Sequence, residues 1–162
     1  MDTDIRIISA EPFFSRERPR TPLKFGGVVM DSVWYCHVCV RVENRRGRTA
    51  EGWGAIFLSD VWAWPSPVVP HEQREELMRE LVGAWCRLLA GTRQFAHPVE
   101  LFWQIEPELV PLAERLSRQR GLAEPMPRLA ALVCASPADA AIHDAFGNAA
   151  GIDTYAGYGR DH

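Results

Sequence analysis

The stretch Ser136-Pro-Ala-Asp-Ala-Ala-Ile-His-Asp-Ala-Phe-Gly-Asn-Ala-Ala-Gly151 is the best-marked segment of this chain. It reads as one capped helix. Ser136 suits the cap, Pro137 the first helical position and Asp139 the third position of a Ser-x-x-Asp capping box, while Gly151 suits a left-handed stop. Ala141, Ile142, Ala145, Phe146 and Ala149 then share one face. Ala140, Gly147 and Ala150 add further small residues, which would let a second body of protein approach the backbone closely. No partner for that face is evident in the linear sequence.

Working back from this helix, the pattern divides the chain into strands followed by helices. Ile5 to Phe14 reads as a first strand that Pro12 disturbs. Val33 to Val42 alternates, with Trp34, Cys36, Val38, Val40 and Val42 on one side and Tyr35, His37, Cys39 and Arg41 on the other. A turn at Asn44-Arg45-Arg46-Gly47 leads into Thr49 to Leu58, a return strand that holds Gly52 and Gly54. Between the first two strands lies a basic loop, Ser15 to Gly27, too polar and too broken for a core. Glu72 to Ala90 carries the 3-4 spacing of an amphipathic helix, Pro98 to Arg120 a helical region interrupted near Pro107 or Pro111, and Pro127 to Cys134 a short helix that ends before Ser136. The expected fold is α+β, a three-stranded antiparallel meander followed by a helical bundle.

Composition limits the function. With 162 residues, 47% of them apolar, the chain can bury a core as one domain. Its longest apolar run, Leu129 to Ala135, is far below the roughly 20 residues of a membrane span. Asp2, Asp4, Arg6 and Glu11 interrupt any secretory leader, so the expected location is the cytoplasm. A net charge of −3 gives no general attraction to nucleic acid, and the arginines at 41, 45, 46 and 48 fit a solvated hairpin tip. Cys36-His-Val-Cys39 spells C-x-x-C, but on a strand the two thiols face opposite sides about 10 Å apart, and Cys86 and Cys134 form no second pair. Reduced thiols without a metal are expected. No nucleotide-binding, zinc-protease or serine-hydrolase motif occurs.

Four segments together resemble the N-terminal capping domain of the enolase superfamily, in its mandelate racemase and muconate lactonizing branch. They are Pro22-Leu-Lys-Phe-Gly26, Glu51-Gly-Trp-Gly54, Trp62-Ala-Trp-Pro65 and Ser136 to Tyr155. The resemblance implies a capping domain over residues 1–152, with 153–162 starting the link to a (β/α) barrel that this chain does not contain. Such a domain would close two loops, Arg18 to Gly27 and Gly52 to Trp64, over a small carboxylate, a sugar acid among the candidates. Arg20 and Lys24 would meet the substrate's distal anionic groups, and Phe25, Trp62 and Trp64 would wall the pocket. Proton abstraction by a racemase, dehydratase or cycloisomerase, with Mg²⁺, would belong to the barrel, so this chain should carry no catalytic or metal-binding residue and be inactive alone. Asp144 is expected to be structural. An apolar patch at Ile142 and Phe146 should await the barrel, its expected partner, and favour self-association into a homo-oligomer. The alternative is a stand-alone α+β module that binds a ligand or another protein.

Overall fold

The computed structural model describes residues 1–25 and 27–159, and of Phe25 only the backbone. Five strands come first: β1 (Ile5–Glu17), β2 (Leu23–Phe25), β3 (Val28–Met30), β4 (Val33–Asn44) and β5 (Thr49–Leu58). The helices follow: α1 (Asp60–Ala63), α2 (His71–Ala90), α3 (Pro98–Ile105), α4 (Leu109–Gln119) and α5 (Arg128–Ala150). Single 3₁₀ turns fill Glu106–Glu108 and Thr154–Tyr158. The interruption expected near Pro107 is thus the 3₁₀ step between α3 and α4.

β1, β4 and β5 form an antiparallel sheet with β4 in the centre, and β2 and β3 form a separate small hairpin. The alternation read from β4 explains its position, since Cys36, Val38, Val40 and Val42 are all fully buried. β1 runs through Pro12 to Glu17 because it is an edge strand, where one missing ladder donor is tolerated. A register shift between Ile7 and Ser9 leaves Ile8 exposed. Cys36 is buried, Cys39 lies on the other face, and all four cysteines are free. Burial pushes the Cys36 and Cys86 thiols up to about 12, as suits inert core groups.

Two readings of the last helix are corrected. Residues 128–150 form one helix, with Pro137 inside it and no cap at Ser136. Pro137 has no N–H for the carbonyl of Val133 four residues back. The Ser136 hydroxyl donates to that carbonyl instead, at 3.0 Å, so the helix crosses the proline without an orphaned acceptor. Gly151 does end the helix in the left-handed conformation, φ 72°, with its N–H donating to the Gly147 carbonyl.

The second correction concerns the small-residue face, which packs on the chain's own sheet. A Cβ built at Gly52 would lie 2.1 Å from the Ala145 nitrogen, and one at Gly54 would lie 2.0 Å from the Pro137 oxygen. The glycines of β5 and the alanines of α5 therefore bring two backbones together. Ile142 and Phe146 are 2% and 0% exposed, so the apolar patch expected there is closed core. α5 is long and apolar enough to cross a membrane by length and composition, and most of it is buried inside this domain.

The C-terminal 3₁₀ turn is fastened to the other side of α5. Tyr158 Oη lies 2.6 Å from His143 Nδ1, Thr154 Oγ1 donates to the His143 carbonyl, and Gly157 lies where any side chain would meet the Phe146 ring. His143 Nε2 lies 3.7 Å from Asp139, and His97 packs against the Tyr158 ring. Burial holds His143 below its usual 6.5, with Asp139 opposing and His97 adding to the effect. As pH falls through 6.5, the unfolded chain takes up this proton before the folded one, so the site withdraws stability on the acid side. Asp139, raised by burial, works in the opposite direction only nearer the carboxylate range. We expect the melting temperature to fall between pH 7.5 and 5.5 and His143→Asn to reduce that fall. A histidine ring resonance for His143 titrating above 6.5 would contradict the account.

Candidate functional site

Two segments leave the same end of the sheet. One, after β1, carries Arg18 and the β2–β3 hairpin. The other, after β5, carries α1 and a proline-rich turn. The second is held by a buried carboxylate. Asp60, 1% exposed, accepts from Arg74 Nε at 2.7 Å and lies 2.9 Å from His71 Nδ1. Arg74 also donates to the carbonyls of Ser66 and Val69, and the Ser66 hydroxyl accepts from the backbone N–H groups of Val68 and Val69. A charged pair this deep is stable only when its remaining hydrogen bonds are filled. Here the fill comes from the loop itself, so the pair fixes the path of residues 60–70.

The hairpin stands between two cavities. On the sheet side, an open cavity of about 660 Å³ is lined by Arg18, Leu23, Met30, Tyr35, His37, Phe57 and Trp62, among others. On the helix side, about 650 Å³ lies between Val28, Val29, Met30 and the turn at Pro65 to Pro67. The basic side chains of the helix-side cavity already have partners. Arg16 Nη1 donates to Glu75 at 2.9 Å, and His71 and Arg74 share Asp60. Arg18 has no acidic partner among the described residues, so the sheet-side cavity combines an unpaired cation with an aromatic wall. It is the candidate site.

The expected residues divide. Trp62, 42% exposed, lines the sheet-side cavity together with Arg18. Trp64 does not: it is 2% exposed, and its indole N–H donates to Glu124 at 3.2 Å. A one-turn helix separates the two tryptophans, turning one out and the other into the core. Arg20 and Lys24 are exposed and line neither cavity among the described residues. The Phe25 side chain and Gly26 lie outside the described residues. Asp144 is structural, accepting the Trp53 backbone N–H at 2.9 Å.

The sequence reading missed Tyr35, His37 and Phe57. Period-2 spacing put Tyr35 and His37 together on one face of β4, but nothing local showed that the loops reach back over that face. Among the described residues, no group of three or more His, Cys, Asp or Glu side chains could hold a metal ion. These residues do not fit a Mg²⁺ site.

No protein-family profile and no curated protein matches the chain. Solved structures do. An enolase from Bradyrhizobium, complexed with magnesium and mandelic acid, is 22% identical with a TM-score of 0.49, the match covering 93% of this chain and 34% of that one. An enolase-superfamily member from Listeria innocua is 14% identical with a TM-score of 0.52, covering 88% and 30%. An L-talarate/galactarate dehydratase variant, liganded with Mg and L-glucarate, is 14% identical with a TM-score of 0.50, covering 94% and 32%. The chain spans about a third of the length of these proteins. The chain therefore has an α+β fold that recurs as about a third of these far longer enolase-superfamily proteins.

Proposed function

We propose that this chain is the substrate-capping and specificity domain of a Mg²⁺-dependent enolase-superfamily enzyme that abstracts a proton next to a carboxylate. The observation that carries the reading is the sheet-side cavity, where Trp62 from one loop faces Arg18 and Leu23 from the other. Loops that converge from separate segments can wall a substrate and exclude water. A barrel domain would hold the metal and perform the chemistry, giving a racemase, dehydratase or cycloisomerase. Arg18 takes over the role first assigned to Arg20 and Lys24 of meeting an anionic group.

The test is exchange of the α-proton of carboxylic acids in D₂O. The 162-residue chain should exchange none, and the protein as expressed from its native gene should exchange one with Mg²⁺ and stop with EDTA. Exchange by this chain alone, or none by the native product across a broad panel of acids, would sink the proposal.

One observation favours the alternative of a stand-alone binding module. The helix face that a barrel was expected to cover is closed within the domain, at Ile142 and Phe146. Self-association would then fall to the outer sheet face, where Phe13, Trp53 and Phe57 are about half exposed.

A further inference from the structure

The wall of the sheet-side cavity is largely aromatic and apolar. The rings of Tyr35 and Phe57 pack with centroids 4.6 Å apart, and His37 meets the Tyr35 ring edge-on at 4.3 Å. Phe57 and Trp62 stay 51% and 42% exposed, and Leu23, 52% exposed, comes from the hairpin that borders the same cavity. These surfaces are bare in the chain as it stands. The polar groups of the lining are few: the Tyr35 hydroxyl, the His37 ring, the Trp62 indole N–H, Ser59, Glu17 and Arg18. Ser59 is 4% exposed, with its hydroxyl turned to the Met30 sulfur. Glu17, whose carboxylate already accepts from Ser15, and Arg18 are neighbours at the end of β1 and sit together on one rim.

We infer that the part of the substrate received here is an apolar, ring-sized group and not the polyol chain of a sugar acid. The inference rests on the capping reading above. A buried hydroxyl needs a partner for its donor and acceptor, and along Leu23, Met30 and Phe57 a run of hydroxyls would find none, the Trp62 indole adding a single donor. A flat apolar ring asks for nothing from this wall and can lie against the faces of Phe57 and Trp62. The cavity lies within the roughly 300–1,000 Å³ range of small-molecule sites. Arg18 on the rim suits a ring that also carries a negative charge.

The experiment is an amide NMR titration of the 162-residue chain with 3-phenylpropionate and, separately, with glucarate, each up to about 20 mM. The expected result is that 3-phenylpropionate shifts the amides of Tyr35, His37, Phe57 and Trp62 and binds at least about tenfold more tightly than glucarate. Trp62→Ala, a change at a half-exposed position, should weaken 3-phenylpropionate at least about fivefold and leave the rest of the spectrum in place. Tighter binding of glucarate at the same amides would overturn the ring-sized group and leave the capping reading standing. If neither probe moves these amides, both fail.

Discussion

Gly54→Ala is expected to cost the domain at least about 3 kcal/mol, enough to lower its melting temperature by roughly 6–12 °C or to prevent folding at 37 °C. The added Cβ would lie 2.0 Å from the Pro137 oxygen and 2.8 Å from the Ala141 nitrogen. Both are backbone atoms, so no rotamer change can relieve the overlap, and α5 must lift off β5. Lifting it loosens the packing of Ala138, Ala141 and Ala145, all of them fully buried. Gly52→Ala should behave alike, with Ala145 N at 2.1 Å and Ala141 O at 2.3 Å. A helix glycine provides the control. A Cβ at Gly83 in α2 would have Arg87 Nη1 as its nearest neighbour, at an ordinary 3.5 Å. Gly83→Ala should therefore stabilise by about 0.5–1 kcal/mol through helix propensity. Circular dichroism melts of the three variants decide the matter. A Gly54→Ala protein melting within about 2 °C of the parent would mean that α5 does not lie on β5 as described.

The second large effect is expected at Asp60. Removing the carboxylate in Asp60→Ala leaves the Arg74 guanidinium, 12% exposed, beside carbonyls alone. Breaking a buried pair from one side costs about 3–5 kcal/mol, since the remaining charge loses its partner but stays out of water. Replacing both partners, as in Asp60→Leu with Arg74→Met, should recover most of that loss. Stability measured by urea unfolding tests this directly, and a single-variant cost below about 1 kcal/mol would show that the pair does not hold the loop. The same variant has a functional consequence. Asp60 precedes Trp62 by two residues in α1, so loosening this turn should spread the Trp62 ring over several positions and weaken binding in the sheet-side cavity.

The strands were legible because their signal is local. Alternation from Val33 onward placed Cys36, Val38, Val40 and Val42 on one face, and the turn at Asn44 to Gly47 closed the hairpin. The helix stop at Gly151 was equally local, a left-handed position that glycine fills without strain. The cap at Ser136 was misread for a physical reason. Ser-Pro is a start signal when a helix begins there, and the same pair can pass through a helix when the serine hydroxyl serves the carbonyl that proline leaves unbonded. Propensity cannot tell the two apart, and the choice fell to packing of residues 130–135 against the core.

The candidate site was legible by halves. Trp62 and the basic segment after β1 drew notice because an aromatic and proline-rich loop and a charged, broken one both stand out in sequence, although Arg20 and Lys24 line neither cavity among the described residues. Trp64 was assigned to the same wall because residue type does not reveal the turn of a short helix, and that turn sends its indole to Glu124. Tyr35 and His37 were placed on the correct face of the sheet and Phe57 was given no face, and the part of all three in a cavity depends on where the hairpin returns.

The sequence by itself determined the meander, the outer and inner faces of β4, the inert cysteines and the order of strands before helices. All of these follow from the two-residue and 3.6-residue repeats of side-chain direction. Only the tertiary structure decided what the small residues of α5 meet. Gly52 and Gly54 lie more than eighty residues from Ala141 and Ala145, and no local pattern couples glycines on a strand to alanines on a distant helix. The close approach exists because both lack bulk at one crossing, and it turns a face expected to await a partner into the centre of the domain's own core.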